Sequence, residues 1–241
     1  MATATTHALR EQVAWACRIL ATAGYSDLTL GHASARDTDG TTVHIKRKGV
    51  GLEEVLPEDV VEFDLADGAP PASPEMHLEA VLHSEVYLAR PDVGAVVHGH
   101  PPYATAFSAT DAPFELLTHD GVLFADGLGL FDETPELITD TAQGRAVADA
   151  LGMRRAVLLR NHGVLVVGKD VPWAVLAAVT LERAIRLQSI AATLGPLRPI
   201  PTERARGMHD EKYQDRFVVE YWDAWIRELR RRHAIDGMPG E

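Results

Sequence analysis

The sequence predicts a single α/β domain. Amphipathic stretches with apolar residues every three or four positions alternate with short apolar, β-branched runs that read as buried strands. A chain of 241 residues with 46% hydrophobic content can bury a full core. No internal repeat interrupts it, and the most proline-rich stretch, 67–74, reads as a loop within the domain, so residues 1–241 are taken as one unit.

Composition narrows the function classes. The formal charge is −12, from 23 Lys and Arg against 35 Asp and Glu, with no dominant basic face. That argues against nucleic acid or an anionic membrane as partner. The single cysteine, Cys17, excludes an intrachain disulfide framework and agrees with a reducing compartment. Residues 1–6 lack a signal-peptide pattern and no run approaches 18 apolar residues, so a cytoplasmic protein is expected.

Taken in order, Leu9, Val13, Cys17, Leu20 and Ala21 predict a helix over 7–24 closed by Gly24, with Cys17 as a small core residue. Residues 31–37, the Asp39-Gly40 turn and 42–45 predict a β-hairpin. Lys46-Arg47-Lys48-Gly49-Val50-Gly51 follows, read either as an anion-binding loop or as a solvated turn. A strand at 60–63 and a helix over about 75–89 come next; on that helix Glu79 and His83, four apart, project together. Further expectations are a short helix at 103–108, a strand near 114–118, an aperiodic 121–131 and a helix over 135–151. Strands at 156–159 and 164–167, a long helix over 172–194 and an aromatic-rich helix over about 208–233 complete the chain.

The stretch Ala95-Val96-Val97-His98-Gly99-His100 organises the rest. It reads as a buried strand ended by Pro101-Pro102. Residues i and i+2 of a strand share a face, so both imidazoles project into one space, roughly 7 Å apart at Cα. Two ligands of one ion, each about 2 Å from it, fit that spacing, as do two histidines that merely cap a strand end. His162, in a tight strand–Gly–strand turn, supplies a third imidazole. Three imidazoles from two strands leave an open coordination position, the pattern of a catalytic site. Glu79, just upstream of the strand, is the acid/base candidate or a further ligand.

These residues resemble the class II aldolase/adducin family, which includes fuculose-phosphate aldolase and ribulose-phosphate 4-epimerase. The resemblance rests on Gly31-His32-Ala33-Ser34-Ala35-Arg36, Glu79-x3-His83-x3-Tyr87-x2-Arg90-Pro91-Asp92, Val96-Val97-His98-Gly99-His100 and Arg160-Asn161-His162-Gly163, over about 8–195. It implies a three-layer α/β/α fold with a mostly antiparallel central sheet, and a homotetramer with sites between subunits. His98, His100 and His162 are implied as ligands of one divalent ion per chain, zinc first, with manganese, cobalt or iron as alternatives. Glu79 is implied as the catalytic carboxylate, and His119 lies near the place where aldolases of this family bring in a tyrosine from a neighbouring subunit. The implied activity is a metal-dependent lyase cleaving a C–C bond, by aldol cleavage or decarboxylation, through a metal-stabilised enediolate.

Two departures bear on the substrate. Lys46-Arg47-Lys48-Gly49 stands where sugar-phosphate aldolases carry a Thr-Pro-Ser-Gly-like loop, and His32 stands where an Asn is usual. Non-sugar decarboxylases resembling the family share Gly-His-x-Ser-x-Arg. A small anionic substrate is expected, a carboxylate or aromatic acid fitting as well as a phosphate, with His32, Ser34, Lys46 and Lys48 as binding candidates. A non-haem Fe(II) oxygenase on the same scaffold is the alternative, and a non-catalytic adducin-like interaction module a further one.

Overall fold

A computed structural model describes residues 2–68 and 70–232. Seven strands, β1 (His32–Arg36), β2 (Thr42–Lys46), β3 (Val60–Asp64), β4 (Ala95–Gly99), β5 (Gly129–Phe131), β6 (Ala156–Leu159) and β7 (Gly163–Gly168), form one sheet in the order β3-β2-β1-β4-β7-β6-β5. Every pair is antiparallel except β5–β6. The helices are α1 (Ala2–Leu20), α2 (Ala80–Ala89), α3 (Pro102–Ser108), α4 (Thr141–Leu151), α5 (Val171–Leu194), α6 (Thr202–Lys212) and α7 (Asp215–Arg232).

Strand alternation sorts the core into two layers. Ala33, Ala35, Val97, Val164 and Val166 pack under α1, α5 and α7, with Trp173, Leu181 and Trp222. Val43, Ile45, Val96, Leu165 and Val167 pack on the opposite face under α2 and α4, with Leu82, Val86, Ile138 and Leu151. The mostly antiparallel three-layer architecture expected from the resemblance is therefore present. Cys17 is fully buried in the first layer, and burial pushes its thiol up to about 11, so it packs as a small apolar residue.

Several element boundaries differ from expectation. Gly24 does break the helical conformation, at φ 93, but from within a π-helical turn over Ala21–Tyr25 that extends the first helix. No strand forms at 114–118: Glu115 N–H donates to Gln188 Oε1, Gln188 Nε2 donates to the Pro113 carbonyl, and Leu116 O accepts from Ile200 N–H. The side chain of α5 and the loop after it satisfy this backbone, leaving it no sheet partner. The aperiodic 121–131 contains a 3₁₀ turn, Gly121–Phe124, and β5, both too short to show a period. The helix expected over 135–151 begins at Thr141, where Asp140 caps it by accepting from Gln143 N–H at 2.9 Å. The expected 208–233 helix is two helices, α6 and α7, meeting at Tyr213 and Gln214; His233 lies outside the described residues. Among the described residues, no helix is long and apolar enough to cross a membrane.

Candidate metal centre

The site is built where β4 and the β6–β7 turn end together. His98 and His100 leave β4 on the face covered by α2. Gly99 between them has Tyr25 against it: a Cβ there would lie 2.9 Å from Tyr25 Cδ1. Pro101 and Pro102 turn the chain into α3, whose first free N–H groups, Tyr103 and Ala104, donate at 2.9 and 2.8 Å to the buried Glu182 carboxylate of α5. That tether holds the backbone directly after His100.

His162 comes from the turn joining β6 to β7. Asn161 takes a left-handed conformation, φ 58, which Asn tolerates better than most side chains, and His162 N–H donates to Leu159 O at 3.0 Å. Gly163 lets this turn close on β4, since a Cβ would lie 2.6 Å from Gly99 O and 2.7 Å from His100 Cδ2. The rings of His98, His100 and His162 stand with centroids 5.1 to 5.2 Å apart.

Glu79 completes the set, but not from within a helix. It sits at the N-cap position of α2, preceded by turns, so the expected Glu79–His83 pair on one helix face does not form. Glu79 Oε1 accepts from Ile138 N–H at 2.9 Å; its carboxylate oxygens lie 3.5 Å from His98 Nε2 and 3.6 Å from His162 Nε2. Burial pushes this carboxyl up, but the His98 and His162 rings and the Ile138 N–H outweigh it and hold it at about 2.

One donor atom from each of Glu79, His98, His100 and His162 lies within 4.8 Å of the others. The Nε2 atoms of all three histidines are buried without a hydrogen-bond partner. Buried polar atoms are ordinarily satisfied, so three bare imidazole nitrogens converging on a carboxylate fit a divalent cation. The opposite nitrogens of two rings are fixed for that orientation: His98 Nδ1 bonds Val164 O and His100 Nδ1 bonds Asp27 Oδ2, each at 3.0 Å. Burial lowers His100 and brings His162 to about 4, which keeps both available as neutral ligands near neutral pH.

The other expected site residues separate. His32 and Ser34 adjoin the centre: His32 is the direct cross-strand partner of His98 on β1, and Ser34 lies two residues on, on the same face. Lys46 ends β2, fully buried, with Nζ donating to Thr29 O at 3.0 Å and 3.4 Å from His77 Nε2. Its expected companions diverge. Arg47 pairs with Asp59 at 2.8 Å and Lys48 is exposed, so the three cations do not form one patch. His119 is exposed and held by its carbonyl, which accepts from Tyr213 Oη at 2.9 Å and Lys212 Nζ at 3.2 Å; no contact among the described residues brings its ring to the four donors.

Sequence reasoning missed His77 and Asp27. His77, two residues before Glu79, sets its ring 4.3 Å from that of His32 at a tilt of 42°, and burial brings it to about 3. Proximity to Glu79 was the only local signal for His77, and Asp27 had none.

The fold and donor set together are those of the class II aldolase type, a three-layer domain with three imidazoles and a carboxylate at one end of its sheet. A sequence model described as the Class II Aldolase and Adducin N-terminal domain matches residues 11–189, and the chain belongs to this family. It is similar to a 3,4-dihydroxyphthalate decarboxylase from Arthrobacter keyseri, 32% identical over 81% of this chain and 84% of the relative. It is also similar to an L-fuculose phosphate aldolase from Methanococcus maripaludis, 29% identical over 74% of this chain and 94% of the relative. Among solved structures, an L-fuculose 1-phosphate aldolase from Glaciozyma antarctica PI12 superimposes with a TM-score of 0.85 at 23% identity, covering 100% of this chain and 95% of that one.

Proposed function

We propose that the protein binds one zinc ion through His98, His100 and His162, with Glu79 beside it, and breaks a C–C bond in a small anionic carbonyl compound. The observation that carries the reading is the three orphaned Nε2 atoms facing the Glu79 carboxylate. In the same reading the enzyme is a cytoplasmic homotetramer, and His119 acts from its exposed position on a neighbouring copy.

A divalent ion bound there supplies Lewis-acid stabilisation of the negative charge that develops on substrate oxygen. The remaining work belongs to side chains. Glu79 is ionised and anchored through one oxygen to Ile138 N–H, so its carboxylate can take a proton from a substrate hydroxyl and return it at the carbon that loses its partner. Lys46 supports an anionic substrate. It is a fully buried cation with no carboxylate within 4.0 Å among the described residues, and buried charges require a partner. A single ammonium beside neutral imidazoles matches a monoanion better than a phosphate dianion, which favours a carboxylate.

The test is an anaerobic assay of zinc- or manganese-loaded protein. Carbon dioxide release from hydroxyaromatic carboxylic acids and aldehyde release from ketose 1-phosphates are read in parallel. Turnover without dioxygen supports the proposal, with Glu79→Gln retaining the ion and losing roughly 10²–10⁴-fold in kcat. Activity confined to Fe(II) and dioxygen overturns it in favour of an oxygenase.

A further inference from the structure

Ser34, His83 and Tyr87 belong to the sequence patterns that marked this chain, yet none is a donor in the metal centre. They form a continuous hydrogen-bonded line across the interface between the sheet and α2. Tyr87 Oη lies 2.8 Å from Ser34 Oγ, Ser34 Oγ lies 2.6 Å from His83 Nδ1, and His83 Nε2 lies 2.7 Å from His32 Nδ1. All four side chains are buried, His83 completely. The line ends at the metal centre, because the His32 ring stands 5.1 Å from that of His98 and 4.3 Å from that of His77. With Nδ1 engaged by His83, Nε2 is the nitrogen His32 has left to offer.

A line of hydroxyls and neutral imidazoles has two polarities. In one, Tyr87 O–H donates to Ser34, Ser34 O–H to His83 Nδ1, and His83 Nε2–H to His32 Nδ1. Every hydrogen inside the line then has an acceptor, and the one hydrogen outside it is on His32 Nε2, an atom that is not among the buried ones left without a partner. In the other, His32 donates from Nδ1, His83 donates from Nδ1 to Ser34, and Ser34 donates to Tyr87. The Tyr87 hydroxyl hydrogen is then left over at a 1% exposed position where Ser34 is its one side-chain partner among the described residues. An unmade buried hydrogen bond disfavours that arrangement by roughly 5- to 150-fold.

We propose that Tyr87, Ser34 and His83 are positioning residues that lock His32 in its Nε2–H tautomer, making it a fixed hydrogen-bond donor toward a carbonyl or carboxylate oxygen at the edge of the metal centre. The donation to substrate rests on the lyase reading; the tautomer does not. The lock divides the imidazoles by role. His98, His100 and His162 present bare nitrogens for a cation, whereas His32 presents N–H and is thereby kept out of the ligand set although it pairs directly with His98 across the sheet.

The experiment is 15N NMR of histidine-labelled protein at neutral pH with zinc bound, in solution or by magic-angle spinning. The His32 signals are identified by their loss in His32→Gln. The expected spectrum shows His32 and His83 each protonated on Nε2 and bare at Nδ1. Ser34→Ala removes the link, and Tyr87→Phe removes the hydrogen that sets the polarity; in each, His32 becomes a mixture of tautomers at unchanged zinc stoichiometry. His32 protonated on Nδ1 in the unaltered protein overturns the proposal, and so does a Ser34→Ala variant with an unchanged His32 tautomer. The unaltered protein decides the polarity even where a variant fails to fold. A correct tautomer in a protein without lyase activity leaves the relay standing and removes the function; the wrong tautomer in an active lyase does the reverse.

Discussion

Removing the Asp27 carboxylate tests the metal centre without any knowledge of the substrate. Asp27 Oδ2 accepts from His100 Nδ1 at 3.0 Å, which leaves Nε2 bare and aimed at Glu79, His98 and His162. Two unit charges 3.0 Å apart in bulk water interact by about 1.4 kcal/mol, a factor of ten in affinity. An imidazole bound to a cation carries less than a unit charge, which reduces this figure. The His100 side chain is only 16% exposed and that of Asp27 41%, so screening is weaker than in water, which raises it. The two corrections oppose one another. Asp27→Asn, which keeps an acceptor but loses the charge, is therefore expected to weaken zinc binding about 10-fold. Asp27→Ala, which also frees the tautomer, should approach the upper end of the ~10–100-fold range for such supporting partners. Competition with a chromogenic chelator gives both dissociation constants, with Asp111→Asn, an exposed carboxylate paired to Arg160, as control. A Kd for Asp27→Ala within twofold of the unaltered protein would refute the reasoning, showing that His100 needs no fixed tautomer or is not a ligand.

Two further predictions concern packing and pH. Gly163→Ala places a methyl 2.6 Å from Gly99 O and 2.7 Å from His100 Cδ2, so it should cost about 1–3 kcal/mol in chemical denaturation and lower zinc stoichiometry. Gly207→Ala, in α6 with open space around it, should instead stabilise by up to ~1 kcal/mol, and equal effects of the two would discredit the argument. Metal-free protein should lose stability as pH falls below about 6.5. His77 and His162 titrate near 3 and 4 when folded, chiefly through burial, but near 6.5 when unfolded, so over that window the unfolded state binds more protons. Glu79, held at about 2, acts in the same direction lower down, its contribution being lost as the unfolded carboxyl and then the folded one protonate. A denaturation midpoint unchanged between pH 7.5 and 4.5 contradicts this.

The sequence by itself determined the elements whose signals are local. His98 and His100 share a face because a strand repeats every two residues, and the apolar runs leading to His98 and His162 read as buried strands, so the two histidine sites could be neighbours in one sheet. The α5 helix and Gly24 were legible for the same reason: periodicity and a glycine cap act over a few residues. Tertiary structure decided what depends on distant partners. Residues 114–118 look like a strand but find Gln188 and Ile200 instead of a neighbour in the sheet. Lys46 continues the cationic run of Arg47 and Lys48 in sequence, yet the pairing of β2 with β3 ends at Lys46 and buries it beside His77 while Lys48 stays exposed. Asp27 belongs to no motif, and Tyr87, though part of the pattern after Glu79, shows nothing of its task there, because a carboxylate on His100 and a hydroxyl ending a line from His32 exist only once loops and helices far apart in the chain pack together. Local patterns set which residues can be ligands, and long-range packing sets which nitrogen of each imidazole faces the site.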